Sequence, residues 1–493
     1  MTRHWCIAAA LVGWLVAAPA YSETPLAQVD LDFAVPNEKL ITPEYLQTPI
    51  RFVTRNQSAA VWEKLPEFWN LASETVIDPI TGKSTERKFV QIKLPLGLTQ
   101  GPPVPLENAL TLAKWQLGKK LYYDPILSSN ASVSCASCHA PDTGFSNHAK
   151  VSTGIFSKKG GMNSPTVIGS GYNKLQFWDG RANSLEHQAQ GPVGNPSEMF
   201  DGKGEPWDAA VIRMRKNPEY IKQFQAIFGH LPTRDAAAKA IATYERTVLS
   251  GNSITDRADV AMLKRVEDEE STNFTVTGAD YATVLKDAAA KKDTYALTSL
   301  GTDASMLTDT AKRLANGRAI FAGKARCTNC HVGDTHTDHQ FHNLGVGVVN
   351  GELPRAVVGR FGSQPLGHKN PVDIGAFKTP SLRALLATKP YMHDGSEDTL
   401  EAVVDFYDRG GNANEFLDAK MRDVEAERQY MVARANGTEY VGPKVFLCGP
   451  NQKPIAPFEL KLTADEKKNL ILFLRSLEGD EIPAIISDPD KGL

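Results

Sequence analysis

Two short stretches decide the fold: residues 135–139 read CASCH, and residues 327–331 read CTNCH. Each stretch places two cysteines three positions apart, with a histidine directly after the second cysteine. A chain with 6 Cys and 11 His among 493 residues contains roughly 0.002 such patterns by chance. Two occurrences therefore indicate a shared chemical requirement.

This spacing is typical of covalent haem attachment. Two thiols on one turn can each add to a haem vinyl group, and the next residue, histidine, then lies under the iron as its proximal ligand. A four-thiolate zinc site or two disulfides would also use four cysteines, but neither explains a histidine after each pair. The predicted haem-binding residues are Cys135, Cys138 and His139 for the first haem and Cys327, Cys330 and His331 for the second.

Apolar residues at helical spacing precede both motifs. The residues in this pattern are Leu110, Ala113, Leu117 and Leu121 before the first motif and Ala311, Leu314, Ala315 and Phe321 before the second. Near the C-terminus, Thr463 and Glu466 form a capping box ahead of an apolar stripe that includes Leu470 and Phe473. Strand signals are sparse, so we expect a mostly α fold with two c-type cytochrome domains, each carrying one covalent haem.

Composition is that of an ordinary globular protein. Hydrophobic residues make up 42% of the chain and charged residues 23%, which is enough apolar material for a buried core. The formal net charge of −3 gives no electrostatic basis for binding nucleic acid. The composition alone indicates no function.

The first 22 residues have the three parts of a secretory signal peptide. Arg3 supplies a positive charge, residues 7–18 are apolar, and Ala20 and Ser22 are small residues at a cleavage position. No later stretch is long enough to span a bilayer, so we expect an exported chain without a membrane anchor. Cys6 leaves with this peptide, and Cys448 is expected to be a small buried apolar residue.

The remaining organisation follows the two motifs. Residues 23–100 are rich in Pro and carry no chemical motif, which indicates an extension on the surface. Residues 254–305 have mixed charge and a helical pattern, which indicates an insertion between domains. The expected segments are a signal peptide (1–22), an N-terminal extension (23–100), a first haem domain (101–253), an insertion (254–305) and a second haem domain (306–493).

Further motifs occur in order along the chain, some between the two haem motifs and the others after the second. They are NSPT at 163–166, FWDGRA at 177–182, GP and EM at 191–192 and 198–199, FHNLGV at 341–346, TPSLR at 379–383, PYMHDGS at 390–396 and FYDRGG at 406–411. Together with the haem motifs, this order resembles the bacterial di-haem cytochrome c peroxidases and their relative MauG. The resemblance covers about residues 101–250 and 308–480.

The resemblance implies roles for residues around the first haem. That haem should be the high-spin, peroxidatic site where hydrogen peroxide binds. Glu198 matches the carboxylate that moves protons, Gln188 matches a polar neighbour, and Trp178 matches the indole between the haems. Pro192 and Met199 match the pocket wall.

The resemblance also implies roles around the second haem. It should be six-coordinate, transfer electrons and store one oxidising equivalent, so that the pair forms a high-valent bis-Fe(IV)-type intermediate. Asn163, with the backbone carbonyls of Thr388 and Pro390, matches a calcium site between the domains.

Two positions depart from the typical peroxidase pattern. Members of the family commonly carry a histidine that caps the first haem, but the ungapped position here is Ile155, and nearby His148 is interpreted as a solvated loop residue. We therefore predict an open first site that needs no reductive activation, as in MauG. The spacing at 399–411 predicts a helix that starts after Thr399, with Tyr407 on the inward face that also carries Leu400 and Val404. At the second haem, alignment through PYMHDG favours Tyr407 over Met392 as the sixth ligand.

The resemblance therefore implies a periplasmic peroxidase with two haem c groups and one calcium ion. Expected partners are hydrogen peroxide, a small donor protein (a cytochrome c or a cupredoxin) and, as a candidate, a second copy of the chain. The alternatives are a MauG-like oxidase of a protein or small molecule, and a di-haem electron carrier. Ala325 stands where MauG has a surface Trp, which weakens the case for MauG's own reaction.

Overall fold

The computed structural model describes residues 36–37, 39–349, 351–354 and 358–491, and the predicted signal peptide lies outside them. Helices form most of the regular structure. Their bounds are α1 Ala59–Lys64, α2 Leu112–Tyr123, α3 Leu185–Gln188, α4 Gly191–Gly194, α5 Pro206–Arg215, α6 Pro218–Phe228, α7 Arg234–Glu245, α8 Ile254–Asp268, α9 Gly278–Ala290, α10 Thr294–Leu300, α11 Leu307–Ala322, α12 Arg360–Ser363, α13 Leu400–Asp408, α14 Val424–Asn436, α15 Ala464–Arg475 and α16 Ala484–Ser487.

The strands are short and few by comparison. They are β1 Ile50–Val53, β2 Trp69–Ile77, β3 Ser84–Lys93, β4 Phe341–His342, β5 Phe377–Lys378, β6 Phe446–Cys448 and β7 Lys453–Ile455. Strands β1, β3 and β2 form one sheet in that order, while β4–β5 and β6–β7 are two-stranded pairs. The prediction of a mostly α fold is confirmed.

Each haem motif follows the helix that its apolar spacing predicted. Helix α2 ends at Tyr123 before the first motif, and Leu117 and Leu121 on it are buried. Helix α11 ends at Ala322 before the second motif, and Phe321 on it is buried. Because the apolar side chains of both helices face the core, the loops that carry the cysteines start from fixed points.

The N-terminal extension contains a folded three-stranded sheet, which the prediction of a surface extension with sparse strand signals did not include. Strand β3 pairs in parallel with β1 and antiparallel with β2. Val90 and Ile92 on β3 are fully buried and belong to the same core cluster as Trp69 on β2 and Trp115 on α2. The alternation of Val90 and Ile92 with polar residues is a strand signal, and the sheet packs this extension against the first haem domain.

Residues 254–305 are helical, as predicted, and pack beside the second motif. Helices α8, α9 and α10 share a buried cluster with Ala311 and Leu314 of α11 and Leu472 of α15. This segment therefore contributes to the core next to the second haem motif.

The predicted helix starts and the role of Cys448 are confirmed. Thr463 caps α15 through a complete capping box with Glu466, and the side chain of Thr399 caps α13. Cys448 is buried beside Leu417 and Ile455. Within the described residues, no helix has the length and apolarity required to cross a membrane.

Candidate functional site

One cavity contains both haem motifs. Its volume is about 650 Å³, and its wall includes the four cysteines and two histidines of the motifs. Residues from both halves of the chain line it, because the loops after α2 and α11 open onto the same space.

The first motif begins as a single 3-10 turn. This turn spans Cys135–Ser137, and Ser134 and Ser137 close a capping box around its start. The backbone N–H of His139 donates to the carbonyl oxygen of Cys135 at 3.0 Å, and the phenol of Tyr122 donates to the carbonyl oxygen of His139 at 2.6 Å. The turn and the tyrosine together fix the histidine directly after the cysteine pair.

The second motif has the same turn and an additional contact to its histidine. The backbone N–H of His331 donates to the carbonyl oxygen of Cys327 at 2.9 Å. Nδ1 of His331 lies 2.8 Å from the carbonyl oxygen of His336, to which it donates. This bond selects the tautomer in which Nε2 is unprotonated and available to a metal.

These donor sets fit two c-type haems. All four motif cysteines are free thiols, and no group of four thiols comes together within the described part of the chain. The zinc and disulfide alternatives therefore have no support in the geometry. The Nδ1 atom of His139 is buried without a hydrogen-bond partner among the described residues. Its ring, like that of His331, lines the cavity.

Glu198 lies on the cavity wall together with Gln188. The side-chain amide of Asn195 donates to Oε1 of Glu198 at 2.5 Å. Burial raises the pKa of the Glu198 carboxyl, while Arg181 and Asn195 act in the opposite direction. Such a carboxyl can take up and release a proton closer to neutral pH than an exposed one. Pro192 and Met199 also line the cavity.

The Ile155 position lies against the Glu198 loop. The backbone N–H of Ile155 donates to the carbonyl oxygen of Glu198 at 2.8 Å, and its apolar side chain packs in the core with Val133 and Met199. His148 is exposed, and its Nε2 lies 3.2 Å from the carbonyl oxygen of Ala387. Among the described residues, the imidazoles on the cavity wall belong to His139, His331, His342 and His393, and none comes from the Ile155 loop.

Trp178 connects the two halves of the chain on the cavity wall. Its Nε1 donates to the carbonyl oxygen of Asn163 at 2.9 Å. Its own carbonyl oxygen accepts from the backbone N–H of Lys378 at 2.8 Å. These bonds fix the indole between a segment that follows the first motif and a segment that follows the second.

The three residues matched to calcium also meet at this cavity. Asn163, Thr388 and Pro390 all line it. The side-chain amide of Asn163 donates to the carbonyl oxygen of Ala149 at 3.0 Å, which turns its Oδ1 acceptor away from that contact. An amide oxygen and two carbonyl oxygens are suitable ligands for Ca²⁺.

Tyr407 and Met392 both line the cavity. Tyr407 lies on the face of α13 that also carries Leu400 and Val404, as its helical spacing predicted. Burial raises the pKa of the Tyr407 phenol, and Cys330 and Cys327 raise it further. The phenol is therefore near the second cysteine pair.

Several side chains around the second motif were not assigned from the sequence. His342 lies in the FHNLGV motif, with Nδ1 2.7 Å from Asp418 and Nε2 2.9 Å from Asp338. Burial alone would lower the pKa of His342, but hydrogen bonds to Asp418, to the Cys330 thiol and to Asp338 raise it to about 10. The pairing of His342 depends on contacts between residues distant in sequence, so no local pattern could have predicted it. By contrast, the three-residue spacing of Asn195 and Glu198 could have predicted their hydrogen bond.

Comparisons with known proteins agree with this geometry. A family profile described as di-haem cytochrome c peroxidase matches residues 112–261. Cytochrome-c peroxidase IdrP1 of Pseudomonas sp. (strain SCT) is 31% identical over 417 residues, which cover 80% of this chain and 88% of that protein. This chain belongs to the di-haem cytochrome c peroxidase and MauG family. The methylamine utilization protein MauG of Methylorubrum extorquens is 33% identical to this family member over 359 residues, covering 72% and 86% of the two chains.

A solved structure supports the same assignment. The crystal structure of a MauG-like protein associated with microbial copper homeostasis matches with a TM-score of 0.56 and 25% identity, covering 79% of this chain and 97% of that one. As a member of this family, the chain is an oxidoreductase that acts on peroxide and carries two haem cofactors.

Proposed function

We propose that this family member is a periplasmic di-haem peroxidase. It reduces hydrogen peroxide to water with electrons from a small redox protein, a cytochrome c or a cupredoxin. The observation that carries the proposal is the partly buried Glu198, held by Asn195 on the wall of the cavity that contains the first haem motif. The predicted signal peptide at 1–22 supports export to the periplasm.

Glu198 supplies the proton transfers of the reaction. When bound, the first haem supplies the iron at which peroxide reacts, and the haem pair holds the two oxidising equivalents. Asn195 donates to Oε1 of Glu198, so Oε2 remains for the substrate. The carboxylate would accept a proton from one peroxide oxygen and return it to the other, which leaves as water. Two electrons from the donor protein and two protons from solvent then convert the remaining oxygen to the second water.

Other cavity residues orient the substrate and exclude solvent. Gln188 offers an amide that can hold the departing oxygen, while Pro192 and Met199 keep the wall apolar. The buried Ile155 side chain offers no ligand to the first haem. The first site should therefore be open in the fully oxidised protein.

The second haem completes the electron path. His331 and Tyr407 are the proposed ligands of its iron, and Trp178 is the proposed bridge between the haems. An anionic phenolate ligand would lower the reduction potential of this haem. Asn163, Thr388 and Pro390 are proposed to hold one calcium ion. This ion would link the segment after the first haem motif to the segment after the second.

Stopped-flow spectroscopy tests the peroxidase proposal directly. The fully oxidised holoprotein is mixed with equimolar hydrogen peroxide, and the haem absorption band is followed. Rapid bleaching without prior reduction is expected, followed by return of the band when reduced cytochrome c or cupredoxin is added. An unchanged spectrum would contradict the open site and favour a di-haem electron carrier.

A MauG-like oxidase is the second candidate. It is favoured by the position of Tyr407 near the second motif, where a tyrosine ligand to the second haem would lie. Ala325, where MauG has a surface Trp, is buried here and lines the cavity, so it cannot present an oxidisable ring to a docked protein. Persistence of the peroxide-oxidised state in the presence of reduced donor proteins would favour this second candidate over the peroxidase.

A further inference from the structure

Lys378 is a buried cation on the wall of the haem cavity. It ends the short strand β5, and its side chain is only 8% exposed. Nζ donates to Oδ1 of Asn173 at 3.0 Å, and both residues line the cavity. A neutral amide oxygen is poor compensation for an ammonium group that has been removed from water.

The other buried basic side chains are compensated. Among the described residues these are Arg246, Arg383 and Lys119. Arg246 pairs with Glu186, and Arg383 pairs with Asp256. Nζ of Lys119 donates to the carbonyl oxygens of Ile485 and Lys491 at 2.8 Å each. Lys378 differs because it faces the cavity with one neutral partner.

The charged groups that act on Lys378 provide no negative charge to balance it. Burial is the cause that lowers the pKa of Lys378 to about 8, and no acidic group opposes it. The nearby His339 imidazole has its pKa lowered by burial and then by Lys378 and Lys174, while Asp338 acts in the opposite direction. Nδ1 of His339 is buried without a partner among the described residues. The region around Lys378 is therefore rich in donors.

In haem c the thioether bonds attach one side of the macrocycle, and the two propionate carboxylates extend from the other. A buried ammonium group on the wall of this cavity, with one neutral partner, is suited to pair with one of these carboxylates. The backbone bond of Lys378 to Trp178 further places it at the border between the two haem sites.

We propose that Lys378 binds a haem propionate and that Asn173 positions its ammonium group. The ion pair keeps the propionate ionised and raises the reduction potential of the haem that carries it, because a nearby cation favours the added electron. This inference requires bound haem but not the peroxide reaction, so it can fail or hold independently of the proposed function.

Equilibrium redox titration of the holoprotein tests the proposal. Lys378→Gln removes the charge and keeps a donor for Asn173, whereas Lys378→Arg keeps the charge. Lys378→Gln is expected to shift one haem midpoint potential to a more negative value. It should also make that potential depend on pH between about 5 and 8, because the unpaired propionate now titrates in this range.

Two comparisons make the test specific. Lys378→Arg should retain the wild-type potentials, and Lys119→Gln, which removes a buried ammonium outside the cavity wall, should leave both potentials unchanged. If Lys378→Gln moves neither potential nor its pH dependence, the proposal is wrong. If Lys378→Gln fails to retain haem, Asn173→Asp is the variant to test instead. The new carboxylate competes for the ammonium group and should also lower one potential, while unchanged potentials would overturn the proposal.

Discussion

The two haem motifs have nearly identical local structure and different surroundings. Each is a single 3-10 turn in which the histidine N–H bonds to the first cysteine carbonyl. Nδ1 of His331 is fixed by the carbonyl oxygen of His336, whereas Nδ1 of His139 has no partner among the described residues. We therefore expect the five-residue motif to attach the cofactor and the neighbouring elements to determine the role of each haem.

The two proposed haem sites also differ in the side chains that lie across from the motif histidine. The first site has Glu198, the carboxyl proposed to transfer protons, and an apolar residue, Ile155, on the adjoining loop. The second site has a buried phenol, Tyr407, near the cysteine pair. A site that lacks a side-chain ligand can admit peroxide, and a site that has one can store charge. The predictions that follow test this division of roles.

Removing the buried Arg383–Asp256 ion pair beside the second motif should have the largest effect, on the stability of the protein. Arg383 pairs with Asp256, with both side chains 5% exposed or less, and its Nε donates to the carbonyl oxygen of Asp334 in the loop after the motif. Arg383→Met leaves the buried Asp256 carboxylate without its ion-pair partner, with only its hydrogen bonds from Ser253, so we expect a loss of about 3 kcal/mol in unfolding free energy. Chemical denaturation measures this loss.

The matched control for this variant is a surface pair. Arg428 pairs with Glu425, with both side chains more than half exposed, so Arg428→Met should cost at most about 1 kcal/mol. The spectrum of the second haem should change in Arg383→Met while that of the first does not. Equal costs in the two variants would mean that the buried pair does not support the second motif.

Removing the carboxyl of the first site should have the next largest effect. Glu198→Gln keeps the size of the side chain but cannot accept a proton, so the peroxide reaction should slow by about 10²-fold or more. Haem content should stay unchanged. Glu205→Gln is a suitable control because that carboxyl is exposed. Stopped-flow rate constants for both variants would decide, and an unchanged rate in Glu198→Gln removes Glu198 from the mechanism.

The pH dependence of the peroxide reaction should report the same carboxyl. Burial raises the pKa of Glu198, and the ionised form is the one that accepts the peroxide proton. The rate should therefore be constant at high pH and fall about tenfold per pH unit below a midpoint that lies above the usual glutamate value of about 4.3. A midpoint at or below that value would contradict the assignment, and the profile should disappear in Glu198→Gln.

Much of this architecture was readable from the sequence because it depends on local patterns. The two motifs, the helices before them and the inward face that carries Tyr407 follow from spacing alone. The alternation of Val90 and Ile92 with polar residues was a local signal for the sheet at 50–93, but its burial against Trp115 depends on a tertiary contact. Lys378 and the Arg383–Asp256 pair were missed because their meaning depends on burial and on partners distant in sequence, which no local pattern encodes.

The smallest expected effect is spectroscopic and concerns the second haem. Tyr407→Phe removes the proposed phenolate ligand with little change in shape, so the absorption spectrum of the second haem should change while that of the first stays the same. Tyr430→Phe is the control, because Tyr430 packs edge-to-face against Tyr440 outside the cavity wall. If the Tyr407→Phe spectrum matches the wild type, Met392→Leu becomes the deciding variant. A change in that second spectrum would assign the ligand to Met392 and leave the open first site as the feature that distinguishes the two haems.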